Sequence, residues 1–311
     1  MNEPIGATIR KRREELGLTR EDICGNEESL TIRQLGRIEN EQSQPNIATI
    51  QYLAQQLGST VYELMPDYVT LDPAYQQLKD DLIRTQVHHQ EQRLKEKENL
   101  LQQIYDHHYE QLPLEEQEII DILDTYYLQI KNPDQALGGD LITRRLPIVL
   151  AKENYDLNDL LFLRFFIERT RYIEKEEFAL ALPQMVTVAQ KLLDDKTNLE
   201  PGSQYLQIDL VTLLANIFGG NGVYLDLILP LLQKGEDVAD QRRDYYKKLS
   251  IYGLRMTYYI YCTDRIDLAE ENYRKALMIA EMGQDADVLV DRIKKEWASD
   301  LVKAKRIERG H

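Results

Sequence analysis

The spacing of apolar residues predicts helices throughout the chain, with short helices first and longer ones afterwards. In residues 1–66, apolar positions recur every three or four residues within short segments that end at Gly, Pro or polar turns. From Ala74 onward the amphipathic segments are longer, and none alternates with the period of two that predicts a β-strand. We therefore predict an all-α protein, in which an N-terminal domain of five short helices is followed by a larger helical domain.

Local capping signals mark the ends of the five short helices. Thr31 and Gln34 have the spacing of a capping box, in which each side chain bonds the backbone N–H of the other residue. The third helix should therefore begin at Thr31 or Ile32, and Asn40 is placed to end it in a left-handed conformation. The other four helices have comparable signals at their ends. These signals are Pro4 and Gly17, Thr19 with Asp22, Asn46 and Gly58, and Thr60 with Glu63.

The third helix has two chemically different faces. Leu35 and Ile38 are spaced to face a core. Arg33, Gln34 and Arg37 lie together on the opposite face. Arg can bind O6 and N7 of guanine, and Gln can bind N6 and N7 of adenine. This face fits a DNA major groove, although a solvated charged face is the ordinary alternative for one helix taken alone.

The longer helices of residues 74–311 are separated by short breaks, which favours antiparallel helix pairs. The clearest pair spans residues 249–282. Its second helix carries small, aromatic and small residues at Ala269, Tyr273 and Ala276, which is the pattern of a tetratricopeptide repeat. Because stacked repeats of this kind curve and present a concave binding surface, we predict a tetratricopeptide-like solenoid. Residues 67–73 lack periodicity, so we interpret them as the linker between the two domains.

Composition and charge narrow the classes of function. The 311 residues carry a net charge of −15, which argues against broad, non-specific affinity for nucleic acid. Any DNA binding must therefore use a local basic patch, such as the one from Arg10 to Arg13. No apolar run approaches the length of a membrane span, and the N-terminus lacks the features of a signal peptide. Cys24 and Cys262 are far apart and are expected to be reduced core thiols, so we expect a cytoplasmic protein.

The histidine and acidic pairs of the sequence give little support for a metal site or a catalytic site. The two adjacent histidine pairs, His88-His89 and His107-His108, have no Cys nearby, and neighbours on a helix point about 100° apart. We interpret them as solvated or capping residues and expect no metal. The acidic pairs have no accompanying nucleophile or phosphate-binding loop, so surface charge is the simpler interpretation. We therefore expect neither catalysis nor a cofactor.

Several motifs in residues 5–65 resemble the XRE/Cro-type helix-turn-helix family. The matching segments are Ile9 to Arg13, Gly17 to Glu21, Arg37 to Asn40, and Gln44 to Gly58. The resemblance implies that the third helix enters the major groove. It also implies that Glu39 pairs with an Arg of the first helix, such as Arg10. Gly36, in the middle of the third helix, either permits close approach to DNA or accommodates packing.

The same resemblance implies the DNA contacts. Bases would be met by the third helix, and phosphates by the second helix and the loop before the fourth. The basic patch of the first helix completes the interface. The base contacts would come from Arg33, Gln34 and Arg37, and the phosphate contacts from Thr19, Arg20 and Gln44. The residues of the basic patch are Arg10 and Arg13.

The two-part layout also resembles the RRNPP regulators, and within them the Rgg/ComR group, over nearly the whole length. Leu30 to Leu35 with Arg37 to Glu39 is close to that group, with support from Leu112-Pro113 ahead of Glu115-Glu116. The resemblance implies a cytoplasmic transcription regulator of Gram-positive bacteria. In such proteins a short secreted peptide is re-imported, binds the repeat domain and changes DNA binding.

The resemblance further implies a lock between the domains and a peptide-binding groove. An acidic residue of the repeat domain would hold Arg33 until peptide binds. Leu114 occupies the expected position of that acid, and Glu115 follows it. A groove needs side-chain amides for the ligand backbone and apolar walls for its side chains.

Five residues are candidates for that groove. Asn216 is a candidate backbone clamp within an apolar stretch, and a helix–helix hydrogen bond is the equal alternative. Arg169 could bind a peptide carboxylate. The remaining candidates are Phe166, which lies near Arg169, and the possible wall residues Tyr258 and Tyr259.

Our main hypothesis is a peptide-responsive, sequence-specific DNA-binding regulator. We expect a homodimer on DNA, because a single module of this size covers one half-site. The last predicted helix, residues 287–306, would cap the repeats or contact the second copy. The alternatives are a phage-type repressor or antitoxin controlled by protein contact, and a repeat protein that sequesters another protein.

Overall fold

The computed structural model describes residues 4–25, 29–59, 61–64, 71–84, 91–195, 201–282 and 286–309. The first five helices are α1 (Ile5–Glu15), α2 (Arg20–Cys24), α3 (Ile32–Glu39), α4 (Ile47–Gln56) and α5 (Val61–Leu64). They are followed by α6 (Pro73–Arg84), α7 (Glu91–His107), a 3-10 turn (Tyr109–Gln111), α8 (Leu114–Lys131), α9 (Gly139–Ala151), α10 (Leu157–Arg169), α11 (Lys175–Asp194), α12 (Pro201–Asn221), α13 (Leu225–Arg242), α14 (Tyr245–Cys262), α15 (Ile266–Glu281) and α16 (Ala286–Arg309). No β-strand occurs in these ranges, and the all-α prediction is confirmed. None of their helices is both long and apolar enough to span a bilayer.

The chain divides into two compact units, Met1–Ile120 and Asp121–His311, with the boundary inside α8. The predicted capping box of Thr60 and Glu63 lies outside the described side chains, as does most of the predicted linker at residues 67–73. The predicted domain limits at residues 66 and 74 therefore stay a prediction.

Side-chain caps fix the starts of α2, α3 and α4. The hydroxyl of Thr31 accepts the N–H of Gln34 at 3.2 Å, and the Gln34 side-chain oxygen accepts the N–H of Thr31 at 3.0 Å. Thr19 and Asp22 form the same reciprocal box at α2, and Asn46 caps α4. These three predictions are confirmed, because capping depends only on residues three positions apart.

The left-handed residue after α3 is Glu41, whereas Asn40 was expected. Asn40 has a φ of −100° and donates its side-chain amide to the carbonyl of Gly36, while Glu41 has a φ of +57°. The Glu41 carboxylate accepts the N–H of Gly6 at 2.6 Å and of Ala7 at 3.2 Å, at the first turn of α1. A contact between distant segments thus decides which residue takes the unfavourable conformation.

Within the second unit, helices pack against both their nearest and their next-nearest neighbours in the chain. α12 contacts α10, α13 and α14, while α14 contacts α13, α15 and α16. Close approach is possible at Gly235 of α13, where a Cβ would lie 3.0 Å from Val211 and 3.4 Å from Ile251. This arrangement is that of stacked helical hairpins, as expected for a repeat solenoid.

The predicted repeat signature works as expected between α15 and α16. Ala269 and Ala276 are buried in the contact of α15 with its neighbours. The ring of Tyr273 stacks on the indole of Trp297 in α16, with centroids 4.7 Å apart and planes 13° from parallel. The aromatic residue therefore fills the interface with the next helix, which is its role in the repeat pattern.

Candidate functional site

The exposed face of α3 carries two unengaged arginines. Arg33, Gln34 and Arg37 are exposed, whereas Leu35 and Ile38 on the opposite face are buried. Within the described part of the chain, neither the Arg33 nor the Arg37 guanidinium forms a hydrogen bond or ion pair. Both groups are therefore free to bind base edges or phosphates.

Gln34 has a structural task that competes with its proposed role. Its side-chain carbonyl oxygen accepts hydrogen bonds from both the N–H and the hydroxyl of Thr31, each at 3.0 Å. Bidentate recognition of adenine would need that oxygen as well as the amide NH₂. Gln34 must therefore give up the capping box before it can bind adenine in this way.

Glu39 pairs with Arg13 of α1 and with Arg20, which confirms the expected pairing with an arginine of the first helix, although that arginine is Arg13 and not Arg10. Its fully buried carboxylate accepts Nε of Arg13 at 2.7 Å and Nε of Arg20 at 2.8 Å. Arg10 instead donates to Glu14, one turn further along α1, at 2.9 Å. Arg10 and Arg13 both lie on α1, and only the folded domain decides which of them meets Glu39.

Arg13 is engaged inside the domain, which argues against its predicted DNA contact. Besides its two bonds to Glu39, it donates Nη1 to the carbonyl of Leu18 at 2.9 Å. The hydrogen bond to Glu39 raises the pKa of Arg13 above its ordinary value, although burial opposes the shift. Arg13 thus ties α1 to α3, and Arg10 remains the exposed arginine of that predicted pair.

The guanidinium of Arg20 rests against α3 at Gly36. A Cβ on Gly36 would lie 3.4 Å from Nη1 and 3.6 Å from Cζ of Arg20, which is ordinary van der Waals contact, so this packing does not require a glycine. Both explanations for this glycine stay predictions. Thr19 caps α2 with an exposed side chain, and Gln44 is exposed in the loop before α4. Their phosphate contacts stay predictions, as does that of Arg20.

The first turn of α8 contains a buried carboxylate next to the predicted lock residue Glu115. Glu116 accepts the hydroxyl of Tyr75 at 2.5 Å and Nζ of Lys79 at 2.6 Å, which ties α8 to α6. Only tertiary packing distinguishes the buried Glu116 from the half-buried Glu115. The lock between Arg33 and Glu115 stays a prediction.

Two of the predicted peptide-binding residues are buried or bonded within the second unit. Phe166 is only 4% exposed and lies in the core, so it forms no groove wall. The Arg169 side chain is 10% exposed and donates to the carbonyl of Leu137 at 2.7 Å and to Glu177 at 2.6 Å. Arg169 therefore joins α10 to the preceding loop and to α11, and it is not free to take a ligand carboxylate.

The other three predicted residues keep accessible surface. Asn216 is exposed on α12, which removes the alternative of a buried helix–helix hydrogen bond. Tyr258 and Tyr259 are half-buried on α14, with ring centroids 5.7 Å apart and an edge-to-face geometry. Burial raises the pKa of the Tyr258 phenol. Contact of any of the three with a peptide stays a prediction.

A charged cluster that sequence reasoning missed joins α8, α10, α12 and α14. The guanidinium of Arg164 lies 5.6 Å from the ring centroid of Tyr126 and 3.6 Å from the carboxylate of Asp209. Lys247 binds the other oxygen of Asp209 and lies 3.7 Å from the ring centroid of Tyr205. We call these five residues the Arg164 cluster. No local motif marks it, because its residues come from four separate helices, with only Tyr205 and Asp209 sharing one.

Protein surrounds the Arg164 cluster on most sides, but its charged side chains keep some exposure to solvent. The side chains of Arg164, Asp209 and Lys247 are 22%, 19% and 11% exposed. Burial lowers the pKa of Arg164, but its interactions with Tyr126 and Asp209 outweigh this effect and raise the pKa above its ordinary value. The guanidinium therefore stays charged in a site that protein surrounds on most sides.

Comparison with known proteins shows where this architecture belongs. The family model described as ComR tetratricopeptide matches residues 73–297. The crystal structure of ComR from Streptococcus suis is 29% identical, with a TM-score of 0.61 and coverage of 96% of each chain. No curated protein matches the chain.

Two further ComR structures share the fold. The apo form of the competence regulator ComR from Streptococcus vestibularis has 22% identity and a TM-score of 0.65, covering 96% of this chain and 98% of its own. ComR from S. thermophilus in complex with DNA and its signalling peptide ComS has 24% identity and a TM-score of 0.61, covering 95% and 99%. Since the family model spans well over half of its residues, the chain belongs to the ComR tetratricopeptide family.

Proposed function

We propose that this protein is a cytoplasmic transcription regulator that binds promoter DNA through α3 and responds to a short signalling peptide bound by its repeat helices. Membership of the ComR family over residues 73–297 is the observation that carries this proposal. It is supported by the solved complex of ComR from S. thermophilus with DNA and its signalling peptide ComS. We propose no catalytic activity, and we propose a homodimer on DNA.

The two free guanidinium groups of α3 support the DNA-binding half of the proposal. Arg33 and Arg37 stand on one exposed face of a helix whose other face is anchored in the core. Arg20 is positioned by Glu39 against the same helix, and its side chain is 35% exposed. Such an arrangement can place two arginines in a major groove and a third on the adjoining phosphates.

The decisive experiment is selection of genomic DNA fragments by the purified full-length protein. It compares wild type with Arg33→Ala, with and without a pool of short apolar peptides encoded near the gene. Fragments that are enriched only with peptide and lost in the variant would support a peptide-gated regulator and would give its operator.

Two other outcomes would contradict the proposal in different ways. Enrichment that peptide leaves unchanged would favour a repressor or antitoxin controlled by protein contact. Failure to enrich any fragment under either condition would move the search to protein partners of the repeats.

A further inference from the structure

Arg164 has hydrogen-bonding capacity that the protein does not use. A guanidinium has five N–H donors in a planar fork that matches a carboxylate. In the described residues, Arg164 makes an ion pair with Asp209 at 3.6 Å and stacks over Tyr126, but it donates no hydrogen bond. Its position is thus held by an aromatic ring and a nearby charge while its donors remain available.

Structural arginines elsewhere in the same unit look different. Arg169, five residues further along α10, donates to two acceptors at 2.7 and 2.6 Å. Arg255 donates to Glu236 and, at 2.8 Å, to Gln233. Each of these arginines closes a short, directed hydrogen-bond network between helices. Arg164 lacks such bonds, although its side chain is only 22% exposed.

The local charge balance favours an anion. Arg164 and Lys247 share the single carboxylate of Asp209, while the neighbouring Glu168 pairs with Arg171 at 3.3 Å. The cluster therefore has one positive charge in excess, within a chain whose net charge is −15. In an enclosed site, an arriving carboxylate would gain strongly from both cations.

We propose that the Arg164 cluster binds a carboxylate of the peptide ligand, with Arg164 as the bidentate donor and Lys247 as the second cation. Asp209 holds the two cations together until the ligand carboxylate binds, and Tyr126 and Tyr205 flank the site. This inference rests on the proposed peptide-binding function. It assigns recognition of the peptide carboxylate to Arg164, because Arg169 is already bonded to Leu137 and Glu177. The carboxylate of the peptide then becomes a determinant of specificity.

The carboxylate has two possible sources, the C-terminus of the peptide and an Asp or Glu side chain. The test uses a synthetic library of short peptides in three matched forms: free acid, C-terminal amide, and free acid with Asp and Glu replaced by Asn and Gln. Full-length protein selects from each library, and retained peptides are identified by mass spectrometry and their affinities measured. Wild type should bind the free-acid form about tenfold or more tightly than whichever form lacks the recognised carboxylate.

Protein variants provide the second arm of the test. Arg164→Gln should lose about tenfold or more in affinity for free-acid peptides and should no longer discriminate between the three forms. Arg164→Lys, which keeps the charge but not the planar fork, should lose less. Arg274→Gln removes an equally charged but exposed side chain of α15 and should bind as wild type does. Thermal unfolding of each variant checks its fold.

The outcomes separate this inference from the proposed function. If peptides bind but wild type treats all three forms equally, the carboxylate site is overturned while peptide binding stands. This arm needs no variant, so misfolding of Arg164→Gln cannot obscure it. Equal affinity of folded Arg164→Gln and Arg274→Gln would also overturn the site. If no peptide of any form is retained, the proposed function itself fails.

Discussion

The α3 face and the Arg164 cluster are the two candidate binding surfaces, and they are built differently. The α3 face comes from one helix of eight residues, whose start is fixed by its own Thr31 and Gln34. The Arg164 cluster takes residues from four helices, between Tyr126 and Lys247. A surface carried by one capped helix is thus encoded locally, whereas a surface shared by stacked repeats exists only when the repeats pack. The following predictions test this difference, from the largest expected effect to the smallest.

Glu39→Gln should show how far the α3 face depends on packing within its own domain. The fully buried carboxylate is bound by Arg13 and Arg20, and removal of one partner from a buried pair costs about 3–5 kcal/mol. We expect a loss of this size in the free energy of opening of α1 to α3, measured by hydrogen exchange of their amides. Glu14→Gln, which removes an exposed pair with Arg10, should leave it nearly unchanged, because water screens that pair. Equal effects of the two substitutions would refute the structural role of Glu39.

Loss of either free arginine should weaken specific DNA binding without loosening the domain. Arg33→Ala and Arg37→Ala should each cost about 1–3 kcal/mol in binding to a selected operator, measured by fluorescence anisotropy. Arg84→Ala on α6, which removes an exposed arginine with a local partner, is the matched control. Specificity retained in the double variant would exclude α3 as the reading helix.

In the repeat half, stability should depend on contacts between helices. A double-mutant cycle of Tyr273→Leu and Trp297→Leu should give a coupling of about 0.5–1.5 kcal/mol, because the two rings stack across α15 and α16. The cycle can be measured by hydrogen exchange of the α16 amides. Tyr273→Leu combined with Tyr245→Leu, at an exposed ring, should give additive effects. Additivity in the first cycle would contradict the repeat packing.

The smallest expected effect is a pH dependence of the repeat half. Burial raises the pKa of Glu236, but hydrogen bonds from Tyr252 and Arg255 outweigh it, so the pKa lies below its ordinary value. Glu236 should therefore stabilise the fold above the ordinary glutamate pKa, and this stabilisation should be lost as the pH falls through the lowered pKa.

Thermal unfolding of wild type and Glu236→Gln across this acidic range measures that effect. The difference in Tm between the two proteins should shrink as the pH falls. Glu270→Gln, at an exposed carboxylate, is the control. A difference that stays constant with pH would contradict the assignment.

Sequence reasoning succeeded where a few neighbouring residues suffice. The capping boxes at Thr19 and Thr31 involve partners three residues away, and both form as predicted. It was less precise where the partner is distant. The resemblance implied an arginine of the first helix as the partner of Glu39, which is confirmed, but the sequence did not show that this arginine is Arg13 and not Arg10. Asn40 looked a better left-handed residue than Glu41, because the contact of Glu41 with α1 forms only in the folded domain.

The peptide-binding predictions show the same limit more strongly. Arg164 and Arg169 are both arginines on α10, and nothing in their local sequence indicates which one is free. Leu137 and Glu177 engage Arg169, whereas Tyr126 and Asp209 leave the donors of Arg164 unused. Phe166 likewise looked available and is buried.

The sequence by itself determined the all-α class, the starts of α2 to α4, the two faces of α3 and the small and aromatic pattern of α15. These features depend on helical periodicity and on hydrogen bonds within one turn, which act over a few residues. Only the tertiary structure decided which arginine binds Glu39, which α10 arginine keeps its donors and which residues form the Arg164 cluster. Those outcomes depend on burial and on charges brought together from distant helices, because a side chain becomes available or committed only when its neighbours are in place.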